Sequence, residues 1–225
     1  MPPPINELLD AHGFAIVTDV LPAQQIEKLK AALSKQVSGN RERYLLEFSE
    51  VFDLALDKAV RQVVCSACGP ECHAVAATLF DKLPSDNWLV PRHQDVNIAV
   101  AERYELPGFG AWSMKQGVHH VQPPVAVLEK MIAVRLHLDP VDETNGVLRV
   151  LPGSHKHGRL NEAALSGLDI STELALKVPA GAAILMRPLL VHASAKSVSS
   201  RRRRVIHFEY TSTILPPPLR WKFWV

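Results

Sequence analysis

From His73 onward the chain is a succession of short apolar runs separated by turn signals, and this pattern constrains the fold more than any other feature. The runs are His73 to Phe80, Trp88 to Ala99, Met131 to Leu138, Val147 to Leu151, Leu174 to Val178, Ala182 to Met186 and Arg203 to Thr211. Between them lie Pro107-Gly108, Thr144-Asn145-Gly146, Pro152-Gly153 and Pro179-Ala180-Gly181, residue types that break strands and set turn geometry. Ahead of this region, Phe14 to Leu21 reads as a first strand. Pro22 then opens a helix whose apolar residues Ile26, Leu29, Leu33 and Val37 keep helical spacing. A second helix is expected over Val51 to Cys68, and Gly69-Pro70 ends it. Gly117 to Pro124 and Pro216 to Val225 read as irregular. Helices followed by about seven strands predict a mainly β protein, with helices flanking a sandwich or jelly roll. With 225 residues, no repeat and no low-complexity linker, 1–225 is expected to be one domain, its core at about 13–213.

Composition narrows the function classes. No run of about 18 apolar residues is present, and the N-terminus lacks a charged segment followed by an apolar one, so neither a membrane partner nor a secretory signal is expected. The expected compartment is the cytoplasm. A formal net charge of +2 gives no general basis for nucleic-acid binding. Arg201 to Arg204 is a local basic run, but no aromatic residues are interleaved with it, so no nucleic-acid partner is expected. The three cysteines, Cys65, Cys68 and Cys72, fall within eight residues, which favours a reducing compartment. With His73 they could hold zinc. The competing reading is that Cys65 and Cys68 share a helical face as small core residues, and this fits the amphipathic segment better.

The chemistry is carried by His93-Gln94-Asp95. On a strand, residues two apart point to one face, so His93 and Asp95 can converge on one ion. A third ligand from a distant strand would complete a two-histidine, one-carboxylate facial triad with open positions for a 2-oxo acid and dioxygen. His192, at the end of the apolar run Leu189 to Val191, is the candidate. A buried cation would be needed for the far carboxylate of such a co-substrate. Arg203 lies eleven residues after His192 and begins a strand, with Arg204 the alternative on the opposite face. Lys82 and Trp88, on strands leading to the metal, and Arg135 and His137, which share a face of one strand, are possible pocket residues. Arg135 could instead pair with Asp139 or Asp142. Gln94 faces away from the ion by parity. His155 and His157 are expected in a surface turn, and His119-His120 in a loop that could border the site.

These segments resemble the phytanoyl-CoA dioxygenase (PhyH) family, in the Fe(II)/2-oxoglutarate oxygenase superfamily. The resemblance rests on Leu79 to Lys82, Asn87 to Asp95, Val121 to Pro124, Val134 to Asp139 and Asn145 to His155, then His192 and Arg203, and extends from about Gly13 to Tyr210. It implies a cupin-like double-stranded β-helix with iron on His93, Asp95 and His192, and with 2-oxoglutarate on Arg203. The implied reaction is hydroxylation of a small molecule by dioxygen, coupled to decarboxylation of 2-oxoglutarate to succinate and CO2. One departure is Ala193, where family members often have glycine after the distal histidine. The alternatives are a non-catalytic cupin-like metal- or ligand-binding protein and a desaturase of the same fold. Halogenation is disfavoured, since Asp95 fills the position a halide would need. Substrate identity and oligomeric state are not specified by the sequence.

Overall fold

The computed structural model describes residues 3–37, 39, 41–83, 85 and 87–225. The strands are β1 Phe14–Val17, β2 Arg41–Arg43, β3 His73–Lys82, β4 Val90–His93, β5 Ile98–Val100, β6 Gly110–Lys115 and β7 Val118–Gln122. They continue with β8 Met131–His137, β9 Leu148–Val150, β10 Leu174–Leu176, β11 Ala183–Met186, β12 His192–Ser194 and β13 Arg203–Thr211. The helices are α1 Ile5–His12, α2 Ala23–Gln36, α3 Ser49–Ala55, α4 Lys58–Cys68, α5 Val125–Leu128 and α6 Glu162–Ser166. None is long and apolar enough to cross a membrane.

A six-stranded antiparallel sheet, in the order β1-β11-β8-β13-β3-β2, faces a four-stranded one, β10-β9-β12-β4. A three-stranded sheet, β5-β7-β6, closes one end. This is a mainly β, double-stranded β-helix with flanking helices, as expected. Strand parity divides the large sheet into two chemical faces. Ile132, Val134, Leu136, Ile206, Phe208 and Tyr210 point outward, into a core shared with Leu9, Leu29, Leu33, Val60 and Val64 of the helices. Each such buried aliphatic contributes about 1.5–3 kcal/mol. The inward positions of the same strands include Arg135 and His137 on β8, Thr78 and Lys82 on β3, and Arg203, His207 and Glu209 on β13.

Several boundaries depart from the sequence reading. The expected helix over Val51 to Cys68 is two helices, because the Asp57 carboxylate accepts hydrogen bonds from the backbone N–H groups of Ala59 and Val60 and caps a new start. The first strand stops at Val17, before Asp19, whose φ of 58° belongs to a turn. Gly117 to Pro124 is not irregular throughout: Val118–Gln122 forms β7, hairpinned to β6. Trp88 to Ala99 is not one strand but β4 and β5, separated by Gln94 to Asn97. The packed body also exceeds 13–213, since Leu9, Leu215, Leu219 and Trp221 are buried.

Cys68 and Cys72 are joined as a disulfide and Cys65 is free, which removes two thiols from the zinc reading. Cys72 is buried and Cys68 packs against the helical core, while Cys65 is half-buried outside it.

Candidate metal centre and its pocket

His192 on β12 and His93 on β4 are partners directly across an antiparallel strand pair, with ring centroids 4.2 Å apart. Each ring places Nδ1 2.9 Å from the carbonyl two residues earlier, Pro91 for His93 and Leu190 for His192. A carbonyl only accepts, so each Nδ1 carries the proton, and each Nε2 is left with a free lone pair. Both Nε2 atoms turn toward Asp95: His93 Nε2 is 3.7 Å from Oδ1 and His192 Nε2 is 3.6 Å from Oδ2. Buried Oδ2 has no hydrogen-bond donor. Among the described residues, these three form the group of histidine, cysteine and carboxylate side chains whose ligand atoms all lie within 4.8 Å of one another.

The means of convergence differs from the sequence argument. β4 ends at His93, so Asp95 is not on the same strand face. The segment is instead held by Gln94, which is buried: its amide donates to the carbonyls of Gly158 and Leu189, and its Oε1 accepts from the Leu160 N–H. Asp95 N–H donates to Pro188 O at 2.8 Å. The strand carrying His192 is pinned by the Pro152-Gly153-Ser154 turn, where Ser154 Oγ accepts from Val191 N–H and Leu151 N–H donates to Val191 O.

The surrounding charges suit a deprotonated site. Burial opposes ionisation of Asp95, but His192, His207, His93 and Arg135 outweigh it and hold the carboxyl down at about 2. Burial dominates at His192, keeping it neutral down to about 4 despite the attraction of Asp95. His207 is a third histidine near Asp95, at 3.8 Å from Oδ2, and burial lowers it to about 3. Its Nδ1 lies 3.0 Å from Arg135 Nη1. Arginine can only donate, so the neutral ring carries its proton on Nε2, which faces Asp95 from beyond hydrogen-bond distance and presents no lone pair to a metal.

The triad borders a cavity of about 230 Å3, lined also by Trp88, Arg135 and Arg203. Arg203 is buried, has an unpaired Nε, and is lowered to about 9 by burial and by Arg135. Arg204 points the other way and forms a bidentate pair with Asp139, at 2.8 and 2.9 Å. Of the two, Arg203 reaches the cavity. Lys82 lies just behind the lining, donating to Ser194 Oγ and Ala195 O, with Trp88 stacked at 5.4 Å. Burial and the charges of Arg203 and Arg135 lower it to about 7. Ser194 Oγ in turn donates to Gly146 O, and Gly146, at φ 78°, has no room for a Cβ, which would sit 3.0 Å from Ala195 O.

Arg135 lines the cavity and does not pair with Asp139 or Asp142, which are taken by Arg204 and Arg201. His137 is buried with neither ring nitrogen bonded. Of the histidines expected in loops, His157 is exposed and His155 packs against Gly13. His120 is a buried strand residue beside Tyr44 Oη at 3.1 Å, and it lines the cavity. His207 and Glu209 were not read from the sequence as site residues, although polar side chains at alternate positions of an apolar strand carry that signal. Burial, with Asp95 adding, pushes Glu209 up to about 8. Arg41 and Arg43 gave no signal, because β2 lacks an apolar alternation, and Tyr44 and Lys115 were likewise not read as site residues.

The basic run is dispersed by the same parity. Arg201 pairs with Asp142, Arg202 with Asp81 and Arg204 with Asp139, while Arg203 turns inward.

Solved structures with this architecture include AviO1 from Streptomyces viridochromogenes Tue57, at TM-score 0.66 and 21% identity, covering 95% of this chain and 96% of that one. HygX from Streptomyces hygroscopicus, solved with nickel and 2-oxoglutarate bound, matches at TM-score 0.64 and 17% identity over 91% of this chain and 84% of its own. EctD from S. alaskensis, solved with 2-oxoglutarate and 5-hydroxyectoine, matches at TM-score 0.70 and 18% identity, covering 92% and 74%. No curated protein sequence matches the chain. The phytanoyl-CoA dioxygenase (PhyH) family model matches residues 9–205, and with that match across most of its length the chain belongs to this family.

Proposed function

We propose that this chain is an Fe(II)- and 2-oxoglutarate-dependent dioxygenase that hydroxylates a small molecule. In the overall reaction, substrate C–H, dioxygen and 2-oxoglutarate give the alcohol, succinate and CO2. The observation carrying this reading is the pairing of a donor set with a cation: His93, Asp95 and His192 present two imidazole nitrogens and a carboxylate beside a cavity lined also by buried Arg203, whose Nε has no partner among the described residues. Two imidazoles and one carboxylate suit ferrous iron and leave positions open for co-substrates. HygX and EctD, which share the fold, were solved with 2-oxoglutarate.

His93, Asp95 and His192 would hold the iron. Bound there with 2-oxoglutarate and dioxygen, it supplies an oxidant for a C–H bond. The chain's own contributions are positional. The carbonyls of Pro91 and Leu190 lock the two imidazoles in the ligating tautomer. Arg203 fixes the far carboxylate of 2-oxoglutarate in a buried setting, where a bidentate pair is both strong and directional. Ala76, Phe80, Val90 and Leu148 line the cavity with apolar surface that limits water.

Anaerobic addition of Fe(II) and then 2-oxoglutarate is expected to produce a metal-to-ligand charge-transfer band. Under air, the mixture should form succinate slowly without substrate. Both signals should vanish in His93→Ala and Asp95→Ala. A chain that gives neither band nor succinate is not this enzyme. Gain of an oxygen atom in the product, against loss of two hydrogens, separates hydroxylation from desaturation.

A further inference from the structure

The cavity carries more positive charge than the co-substrate reading uses. Arg41, Arg43, Lys115, Arg135 and Arg203 line it, against the ionised carboxylate of Asp95, since buried Glu209 holds its proton. Ferrous iron and dianionic 2-oxoglutarate bring equal and opposite charges, so loading the site leaves a surplus of four. Elsewhere in the molecule arginines find acids, as Arg92, Arg187, Arg201, Arg202 and Arg204 do. Arg41, Arg43 and Lys115 form no ion pair among the described residues. Arg41 lies instead in the repulsive field of Arg43, and Lys115 in that of both, only partly offset by Asp95 on each and by Glu209 on Lys115.

Their placement is set by the sheet. Arg41 pairs in register with Phe80 and Arg43 with Thr78, so both point to the inner face that also carries His207 and Arg135. The guanidinium carbons of Arg41 and Arg135 each lie 5.3 Å from the centroid of the Phe80 ring, so two like charges share one aromatic. Lys115 arrives from the β6–β7 hairpin, and Tyr44, at φ 64°, donates its hydroxyl hydrogen bond to the Lys115 carbonyl and so ties that hairpin to β2. Arg41 and Arg43 stand on β2, two strands from the β13 backbone that carries Arg203, roughly 10 Å at ordinary strand spacing.

We propose that the substrate is a small polyanion bearing phosphate or carboxylate groups, and that Arg41, Arg43 and Lys115 bind it and set specificity. This rests on the dioxygenase reading for what is then done to the substrate, but the anion site stands on its own geometry. Positive groups that outnumber the acids around them gain most from a multiply charged ligand, and arginines give it directional contacts.

The test uses the full chain without added metal, titrated calorimetrically with inorganic pyrophosphate and, separately, with propane-1,2,3-tricarboxylate. One or both should bind with a single site. The Arg41→Gln/Arg43→Gln variant should weaken that binding at least fivefold, and Lys115→Gln, on the other hairpin, should do the same if the double variant fails to fold. Preference for pyrophosphate over the tricarboxylate identifies a phosphorylated substrate, and the reverse a carboxylic one. Arg203→Gln should change the anion affinity less than twofold. The 2-oxoglutarate charge-transfer band should persist in the Arg41→Gln/Arg43→Gln variant, and its absence from the wild type would count against the dioxygenase reading alone. The anion proposal is overturned if neither probe binds, if affinity survives the variants within fivefold, or if it follows Arg203 instead.

Discussion

Arg203 differs from Arg201, Arg202 and Arg204 in having no carboxylate partner among the described residues, and this makes the four-arginine run a chemically sorted segment. Its neighbours are tied to Asp142, Asp81 and Asp139. Replacing Arg203 removes a buried, unpaired charge, whereas replacing Arg204 strands Asp139. Arg203→Gln should therefore weaken 2-oxoglutarate binding by about 100-fold, roughly 2.7 kcal/mol, while leaving the melting temperature unchanged or higher. Arg204→Gln should cost about 1–3 kcal/mol of stability with 2-oxoglutarate affinity within twofold. Calorimetric titration and a thermal melt on both variants read the two effects separately. The eleven-residue interval after His192 already favoured Arg203. Lys82 and Arg135 were also legible as polar residues on apolar strands, but the pairing that distinguishes Arg203 from Arg204 depends on acids from distant segments.

Buried histidines make a second residue-level prediction. His192, His207 and His120 are lowered to about 4, 3 and 4, chiefly by burial. Between those values and the unfolded value near 6.5 the unfolded chain binds more protons, so this stability is complete above about pH 6.5 and declines as the pH falls. By pH 5 each histidine contributes a loss of about 2 kcal/mol. Glu209, raised to about 8, has the opposite sign, since its folded form holds a proton that the unfolded form has lost, and it offsets about one histidine. The metal-free protein should thus lose at least about 4 kcal/mol between pH 7 and 5, seen as a lower urea midpoint. His137, also held well below its ordinary value by burial, adds to the loss. A flat profile would contradict the neutral, buried assignment.

The segment from β4 to β5 is where local reading of the sequence was least sufficient. Alternation over Trp88 to Ala99 resembles one strand, yet Gln94 ends it by satisfying two backbone carbonyls and one backbone N–H on segments about 65 and 95 residues away. No periodicity contains that information. It was legible that His93, Asp95 and His192 belong together, because their types and the surrounding motif are local. How they meet was not, because the peg for Asp95 is tertiary. The same holds for β2 and β7, whose side chains reach the cavity through sheet register rather than through a hydrophobic pattern. Gln94→Leu keeps the volume but leaves those backbone groups without partners, at a cost of about 1–3 kcal/mol each where they stay buried. With the aspartate no longer fixed, affinity for Fe(II) should fall about 10–100-fold, as for other supporting contacts of metal ligands. Competition with a chelating dye checks this, and unchanged metal affinity would show that Pro188 alone positions Asp95.

Among the described residues, three apolar clusters hold the molecule: one between helices and the large sheet, one between the two facing sheets, and one beneath β5-β7-β6. The last is closed by the C-terminal segment, which looks irregular in sequence but is bound at several points. Ala101 N–H donates to Arg220 O and Lys222 N–H to Ala99 O, while Ala74 and Val225 exchange both backbone hydrogen bonds. Trp221 is buried and its indole N–H donates to Thr213 O at 2.8 Å. The segment therefore joins β5, which follows the Asp95 loop, to β3, whose far end carries Lys82. We propose that residues 1–225 unfold as one domain rather than as a barrel with a detachable tail. Trp221→Ala should then cost about 3–5 kcal/mol. For a chain of this size that lowers the melting temperature by roughly 6–20 °C, in a single transition whose calorimetric and van't Hoff enthalpies agree. An independent tail predicts instead a small early transition with the main melt unmoved. Scanning calorimetry separates the two outcomes, because a tail that is part of the core shifts the whole transition when its tryptophan is removed.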